Sequence, residues 1–247
     1  MNNEAYDCLV HYLASQQENR IHYYGQGVNA CAFAELLPDA TIELLDAPDL
    51  FVRKNDSAVI VEHFRFDSYH RARKGGSPNA REMERIRKES RKFHDAHKGV
   101  MFHDSIDALS SYDDYLENVK NGFIKHRSQI HVYRENLIKE GLLGEADDVK
   151  VLFLIEDITP LGNLAVERSG GCSARVHNIV LAHCRPFLDL LKNAVDVDYV
   201  LACSSTDTEK FVWFIDRKEL DEYYIHAQDY ENMDYVDFTP QVMSFVL

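Results

Sequence analysis

Two acidic residues, Asp49 and Glu62, stand at corresponding ends of a predicted β-hairpin. The apolar segments 50–52 and 58–61 flank the turn-forming residues 54–57, Lys-Asn-Asp-Ser. Antiparallel pairing about this turn places the start of the first strand opposite the end of the second, so we expect the two carboxylates to lie close together. Carboxylates at short range repel each other unless a cation lies between them. The pattern therefore favours a divalent metal ion with oxygen ligands.

The hairpin resembles the metal-binding core of the PD-(D/E)XK nuclease superfamily, in which a Pro-Asp precedes one strand and a Glu-x-Lys ends the next. Pro48-Asp49 matches the first element and Glu62-His63-Phe64 matches the second, except that Phe64 takes the place of the lysine. The resemblance implies hydrolysis of phosphodiester bonds in nucleic acid with Mg²⁺ or Mn²⁺ as cofactor. It also implies that Asp49 and Glu62 are catalytic metal ligands and that the His63 carbonyl is a further ligand.

The lysine of the motif positions water and stabilises charge, which Phe64 cannot do. Arg65 points to the opposite face of the strand because side chains alternate along it. A substituting cation must then come from another element, and Lys74 on the following loop is the catalytic candidate, with Arg71, Arg73 and Arg81 also within reach. Superfamily members that have lost the lysine are often inactive binding modules, so the resemblance leaves a non-catalytic protein of the same fold open.

Charge is distributed unevenly along the chain. The 27 Lys and Arg against 41 Asp and Glu give a net charge of −14, yet residues 65–98 hold eleven basic and five acidic residues. Within a helix predicted from residue 79 to about 98, one face carries a basic stripe: Arg81, Arg85, Lys88 and Lys92. Such a stripe can follow a phosphate backbone. The alternative for this helix is a solvated surface with salt bridges. The alternative for the whole protein is an acidic protein that binds, and inhibits, a nucleic-acid-binding protein.

Short apolar runs alternate with helical patterns along the chain. Strands are predicted at residues 41–45, 50–53, 58–64, 150–156, 199–203 and 211–215, and helices at 4–17, 28–37, 79–98, 110–140 and 186–194. This order predicts an α/β protein with a restriction-endonuclease-like mixed central sheet flanked by helices. We expect a single domain over residues 1–247 with a helical insertion at about 105–145, in which Gly122 is a predicted break.

The remaining patterns are weaker. Glu156-Asp157 ends a dense apolar strand, where catalytic groups collect in α/β sheets, and ranks second as a candidate site. The five cysteines are widely spaced and indicate reduced thiols, and His94-x-x-His97 lacks partners for a zinc set. No apolar run is long enough to cross a bilayer and the polar start lacks signal-peptide features, so the sequence predicts a cytoplasmic protein without membrane contact.

Overall fold

The structure, a computed structural model, describes ten stretches of the chain: residues 5–10, 21–70, 78–97, 101–105, 110–144, 148–159, 163–168, 174–205, 210–237 and 241–245. Its strands are β1 (Ile21–His22), β2 (Thr41–Leu44), β3 (Leu50–Lys54), β4 (Ser57–Phe66), β5 (Met101–Ser105), β6 (Val149–Asp157), β7 (Asn163–Arg168), β8 (Ala174–Asn178), β9 (Tyr199–Ser205), β10 (Lys210–Asp216), β11 (Asp234–Asp237) and β12 (Gln241–Phe245). Its α-helices are α1 (Val28–Leu36), α2 (Pro78–Ala96), α3 (Tyr112–Arg127), α4 (Ile130–Lys139), α5 (Arg185–Lys192) and α6 (Leu220–His226). Residues 5–10 are also helical.

A mixed seven-stranded sheet with the order β1-β10-β9-β6-β4-β3-β2 forms the centre of the protein. Strands β4, β6 and β9 run parallel to one another, and β3 is antiparallel to both of its neighbours. At the other end of the sheet, β10 is antiparallel to β9 and β1 is parallel to β10. Each of the six strands predicted from the sequence lies in this sheet. The predicted α/β class, with a mixed sheet flanked by helices, is confirmed.

The two faces of the sheet enter two separate cores, and β6 contributes to both. Val151, Phe153 and Ile155 point into one core, whereas Leu152 and Leu154 point into the other. Full burial of each such side chain stabilises the fold by about 1.5–3 kcal/mol. A strand that is apolar on both sides must lie inside the sheet, which explains why β6 occupies its fourth position.

The insertion contains two consecutive helices, α3 and α4, and the break between them differs from the predicted one. Ser111 caps α3 by accepting the Asp114 backbone N–H, and the helix continues through Gly122 to Arg127. The prediction of a break at Gly122 is therefore wrong. A Cβ atom at this position would lie 2.8 Å from the Phe64 ring, so glycine is needed for the close approach of α3 to β4.

Replacing Gly122 with alanine is expected to destabilise the protein by up to about 2 kcal/mol. Alanine adds up to about 1 kcal/mol of helix propensity, but overpacking a buried contact costs about 1–3 kcal/mol. Chemical denaturation measures the difference, with Lys120→Ala at an exposed position of the same helix as the control. A Gly122→Ala variant more stable than the wild type would show that the Phe64 ring does not pack against α3.

Five strands outside the central sheet are absent from the sequence prediction. They form a three-stranded sheet, β11-β7-β8, and a two-stranded sheet, β12-β5. These strands have only four to six residues and mix polar or charged with apolar side chains, so they carry neither a dense apolar run nor a clear alternation. Within the described ranges, no helix has the length and apolar character needed to span a bilayer.

Candidate functional site

The hairpin of β3 and β4 places Asp49 beside Glu62. Leu50 pairs with Val61, so the two acidic residues are the next positions along the ladder. The backbone N–H of Asp49 donates to Glu62 Oε2 at 3.3 Å, and the backbone N–H of His63 donates to Asp49 Oδ2 at 2.8 Å. The Glu62 carboxylate thus accepts a hydrogen bond from the backbone of Asp49. The Asp49 carboxylate accepts one from the backbone of His63, the residue that follows Glu62.

The helical insertion supplies two donors to the Glu62 carboxylate. Glu62 Oε1 accepts a hydrogen bond from the Tyr133 hydroxyl of α4 at 2.6 Å. The same oxygen lies 2.6 Å from His126 Nδ1 of α3, and the imidazole is the donor because an ionised carboxylate can only accept. The Glu62 side chain is only 8% exposed. Burial, followed by the hydrogen bond to Glu62, raises the pKa of Tyr133 far above its ordinary value, so the phenol stays protonated as a donor.

The Asp49 carboxyl is half-buried beside a second carboxylate. Burial raises the pKa of Asp49, and the neighbouring charge of Glu62 raises it further. The His63 backbone N–H and the imidazoles of His63 and His126 act in the opposite direction. A cation placed against Asp49 would relieve the repulsion between the two carboxylates.

Phe64, in the place of the motif lysine, positions a histidine beside the acidic pair. Its ring stacks on the His126 ring with centroids 5.0 Å apart and planes 9° apart. Gly122 and His126 are four residues apart on α3 and therefore share the helix face that lies over β4. The sequence analysis missed His126, which is separated from Glu62 by 64 positions. Tyr133 lies within the helix predicted at residues 110–140, and its hydroxyl among the apolar residues of that helix was the available signal.

The opposite face of β4 carries a second polar group. The His63 side chain is buried there, with Nε2 3.5 Å from Glu156 Oε2 of β6 and 3.8 Å from the Sγ atom of Cys8. Within the described part of the chain, these three residues are the one His/Cys/Asp/Glu group whose ligand atoms all lie within 4.8 Å of one another. Glu156 thus contacts the residue next to Glu62, although it faces away from the acidic pair.

Two further carboxylates are buried where β4 and β6 end. Asp157 Oδ1 accepts the Thr159 backbone N–H at 2.9 Å, and Asp67 Oδ1 accepts the Tyr69 backbone N–H at 3.3 Å. Burial raises the pKa of Asp157 to about 6, and the charge of Asp67 contributes in the same direction. The Asn118 side chain of α3 donates to the carbonyls of Asp67 and Tyr69, which fixes the insertion to this end of the sheet.

The basic stripe lies on α2, and part of it is neutralised within the helix. Arg85 forms an ion pair with Glu89 at 2.6 Å, and Lys88 forms one with Glu84 at 2.7 Å. Residues 78–97 hold six basic and four acidic residues, a local charge of +2. Lys92 is exposed. Arg81 lies on the same helix, its side chain is outside the described set, and Lys74 lies wholly outside the described residues.

Nucleic-acid binding by α2 would weaken with added salt. Replacing Lys92 with alanine is expected to reduce the slope of log K against log salt by about 0.9 for duplex DNA, because one phosphate contact is lost. The control is Lys139→Ala, which removes an exposed lysine from α4. Filter binding or fluorescence anisotropy at several salt concentrations measures the slope. Equal slopes for the wild type and Lys92→Ala would assign α2 to a solvated surface.

Comparison with protein-family models, curated proteins and solved structures finds no match to this chain. The fold and the site together define an α/β protein with a mixed sheet and a partly buried acidic pair on its β3–β4 hairpin. Function is therefore inferred from the geometry of that pair and of the groups around it.

Proposed function

We propose that this protein is a metal-dependent nuclease of the restriction-endonuclease-like class. One observation carries the proposal: at the open end of the β3–β4 hairpin, the backbone N–H of Asp49 donates to the Glu62 carboxylate, so the two acidic residues are neighbours. The element order supports it: three antiparallel strands, the helix α2, and then a strand parallel to the third, as in the core that the sequence resembles. The two consecutive helices α3 and α4 are inserted before that last strand.

The donor set fits a hard divalent cation. Mg²⁺ is usually bound by one or two carboxylates, retains several waters and completes its shell with substrate phosphates. Asp49 and Glu62 provide two carboxylates of this kind, and the pKa of Asp49 is raised partly by the charge that a cation would neutralise. A bound Mg²⁺ or Mn²⁺ would polarise the phosphate and acidify a water molecule.

The surrounding residues would orient the ligands and supply positive charge. Tyr133 and His126 both bind Glu62 Oε1, so they fix the rotation of the carboxylate and leave Oε2 on the side of Asp49. His126, when protonated, places a positive charge beside the acidic pair, which is the role of the lysine in the superfamily. Phe64 supports this replacement because its ring holds the imidazole by stacking.

A second candidate function is that of a non-catalytic binding protein with the same fold. One observation favours it: both oxygens of Glu62 already accept hydrogen bonds from the protein, and the side chain is 8% exposed. The acidic pair would then be a structural cluster that joins the insertion to the hairpin. The net charge of −14 suits a basic protein partner better than free nucleic acid.

A cleavage assay separates the two candidates. The full-length protein is incubated with single- and double-stranded DNA and RNA in Mg²⁺, Mn²⁺ or a chelator. Asp49→Asn is expected to reduce metal-dependent cleavage about a hundredfold, since loss of even an outer-shell partner of a metal site typically costs 10- to 100-fold. The matched control is Asp39→Asn, at a side chain that is 84% exposed. Absence of cleavage in every metal and with every substrate would favour the binding protein.

Metal binding at the pair is measured separately by thermal unfolding. A cation that binds only the folded state adds about 2.7 kcal/mol of stability at a concentration of 100 times its Kd. Millimolar Mg²⁺ or Mn²⁺ should therefore raise the melting temperature of the wild type and of Asp39→Asn, but not that of Asp49→Asn. An unchanged wild-type melting temperature would contradict a metal site at Asp49 and Glu62.

A further inference from the structure

We infer that Cys8, His63 and Glu156 form a zinc site on the face of the sheet opposite the acidic pair. The three residues come from the N-terminal helical segment, from β4 and from β6, so distant parts of the chain meet at one point. Thiolate, imidazole and carboxylate are the ligand types that zinc takes in proteins. This inference does not depend on the proposed nuclease function.

Two of the three distances between the ligand atoms are close to those around a tetrahedral zinc ion. Zn–S and Zn–N bonds of about 2.3 and 2.0–2.1 Å place a sulfur and a nitrogen about 3.6 Å apart, and a nitrogen and an oxygen about 3.3 Å apart. The Cys8 Sγ to His63 Nε2 distance is 3.8 Å and the His63 Nε2 to Glu156 Oε2 distance is 3.5 Å. Shifts of about 0.2 Å would bring these two distances to the tetrahedral values. The Cys8 sulfur lies within 4.8 Å of a Glu156 carboxylate oxygen.

The sheet fixes two of the ligands before any metal binds. His63 and Leu154 are register partners on adjacent parallel strands, and Glu156 follows Leu154 by two residues, so His63 and Glu156 share one face. Their common face carries the core that includes Ala5 and Leu9 of the N-terminal helical segment, against which Cys8 packs. Ligands held in this way lose little conformational freedom on binding, which favours affinity.

Charge also favours a divalent cation. A thiolate and a carboxylate with a neutral imidazole carry two negative charges, which one Zn²⁺ ion neutralises. His63 Nε2 faces both other ligands, so a single proton on that nitrogen cannot bond well to both of them. Three protein ligands leave a fourth position for water or a substrate atom, as in catalytic zinc sites.

Cobalt(II) titration of the chelator-treated full-length protein tests the site. Cobalt replaces zinc and reports a bound thiolate by a charge-transfer band in the near ultraviolet, together with visible bands of tetrahedral geometry. We expect one thiolate-bound cobalt ion per chain, displaced by zinc. Cys8→Ser should remove the charge-transfer band and weaken zinc binding by about a hundredfold, since outer-shell changes alone cost 10- to 100-fold. Cys31→Ser, at an exposed cysteine, is the matched control and should retain both.

Two further measurements keep the inference falsifiable. Zinc should slow hydrogen exchange in residues 5–10 of the wild type and of Cys31→Ser, because the metal ties this segment to β4 and β6, but not in Cys8→Ser. Asp49→Asn should leave the cobalt spectrum unchanged, so failure of the nuclease proposal would not affect this result. A wild-type protein without a thiolate band, or a band that persists in Cys8→Ser, would overturn the inference.

Discussion

Removing both donors of the Glu62 carboxylate is expected to lower the free energy of unfolding by about 3–6 kcal/mol. A hydrogen bond to a charged group contributes about 1.5–3 kcal/mol, and Glu62 Oε1 accepts one from Tyr133 and one from His126 at 2.6 Å each. The variant is Tyr133→Phe with His126→Leu, which keeps the apolar contacts of both side chains. Urea denaturation at neutral pH measures the loss. Tyr133→Phe alone, with about half the effect, serves if the double variant does not fold.

A second background shows whether the buried charge causes this loss. In the Glu62→Gln background, the same two substitutions should lower the free energy of unfolding much less, because hydrogen bonds to a neutral amide are weaker than those to a carboxylate. The difference between the losses in the two backgrounds is the coupling energy. Mg²⁺ should restore part of the lost stability if the acidic pair binds metal, since the cation replaces the missing donors. Equal losses in the wild-type and Glu62→Gln backgrounds would show that packing, and not the carboxylate, accounts for the effect.

Protein stability is expected to fall as the pH rises from about 3 to 7, by about 3 kcal/mol from Asp157 alone. Burial raises the pKa of this carboxyl from 3.8 to about 6, so the folded state binds more protons than the unfolded state across this window. Each unit of pKa difference corresponds to about 1.4 kcal/mol. The contribution is fully present below about pH 3 and is lost as the pH passes through the folded pKa.

Asp157→Asn removes this pH dependence. The amide keeps an oxygen that can accept the Thr159 backbone N–H, and it cannot ionise. We expect the variant to be up to about 3 kcal/mol more stable than the wild type above pH 7, with a flatter profile between pH 4 and 6. Asp113→Asn, at an exposed aspartate of α3, is the control. Parallel pH profiles for Asp157→Asn and the wild type would mean that Asp157 titrates normally in the folded protein.

Six of the seven strands of the central sheet were predictable because their signal is local, whereas the two-residue strand β1 carries no such signal. Residues 149–157 carry a dense apolar run, and residues 50–66 carry two apolar runs around a turn, which define a strand and a hairpin without knowledge of the rest of the chain. The contact between Asp49 and Glu62 followed from the hairpin alone. The five short strands of the two smaller sheets were not predictable, because their polar and apolar residues follow no single period.

The partners of the acidic pair were not predictable, because they depend on tertiary packing. His126 and Tyr133 reach Glu62 across 64 and 71 positions, and nothing in the sequence near residue 126 indicates which strand α3 will cover. The same holds for Cys8 and His63, which are 55 positions apart. The prediction at Gly122 was wrong for a related reason. The local sequence around a glycine is the same whether the helix ends there or whether the missing side chain allows a ring from another element to pack closely.

The parallel pairing of β1 with β10 has a consequence for how the protein is made. Ile21 pairs with Val212, so one edge of the sheet joins two strands that are separated by 191 positions in the chain. At about 5–20 residues per second, β1 waits roughly 10–40 s for its partner to be synthesised. Until β10 emerges, the β9 edge of the nascent sheet has exposed hydrogen-bonding groups beside apolar side chains. The ribosome-bound chain is therefore expected to depend on chaperone protection during this interval.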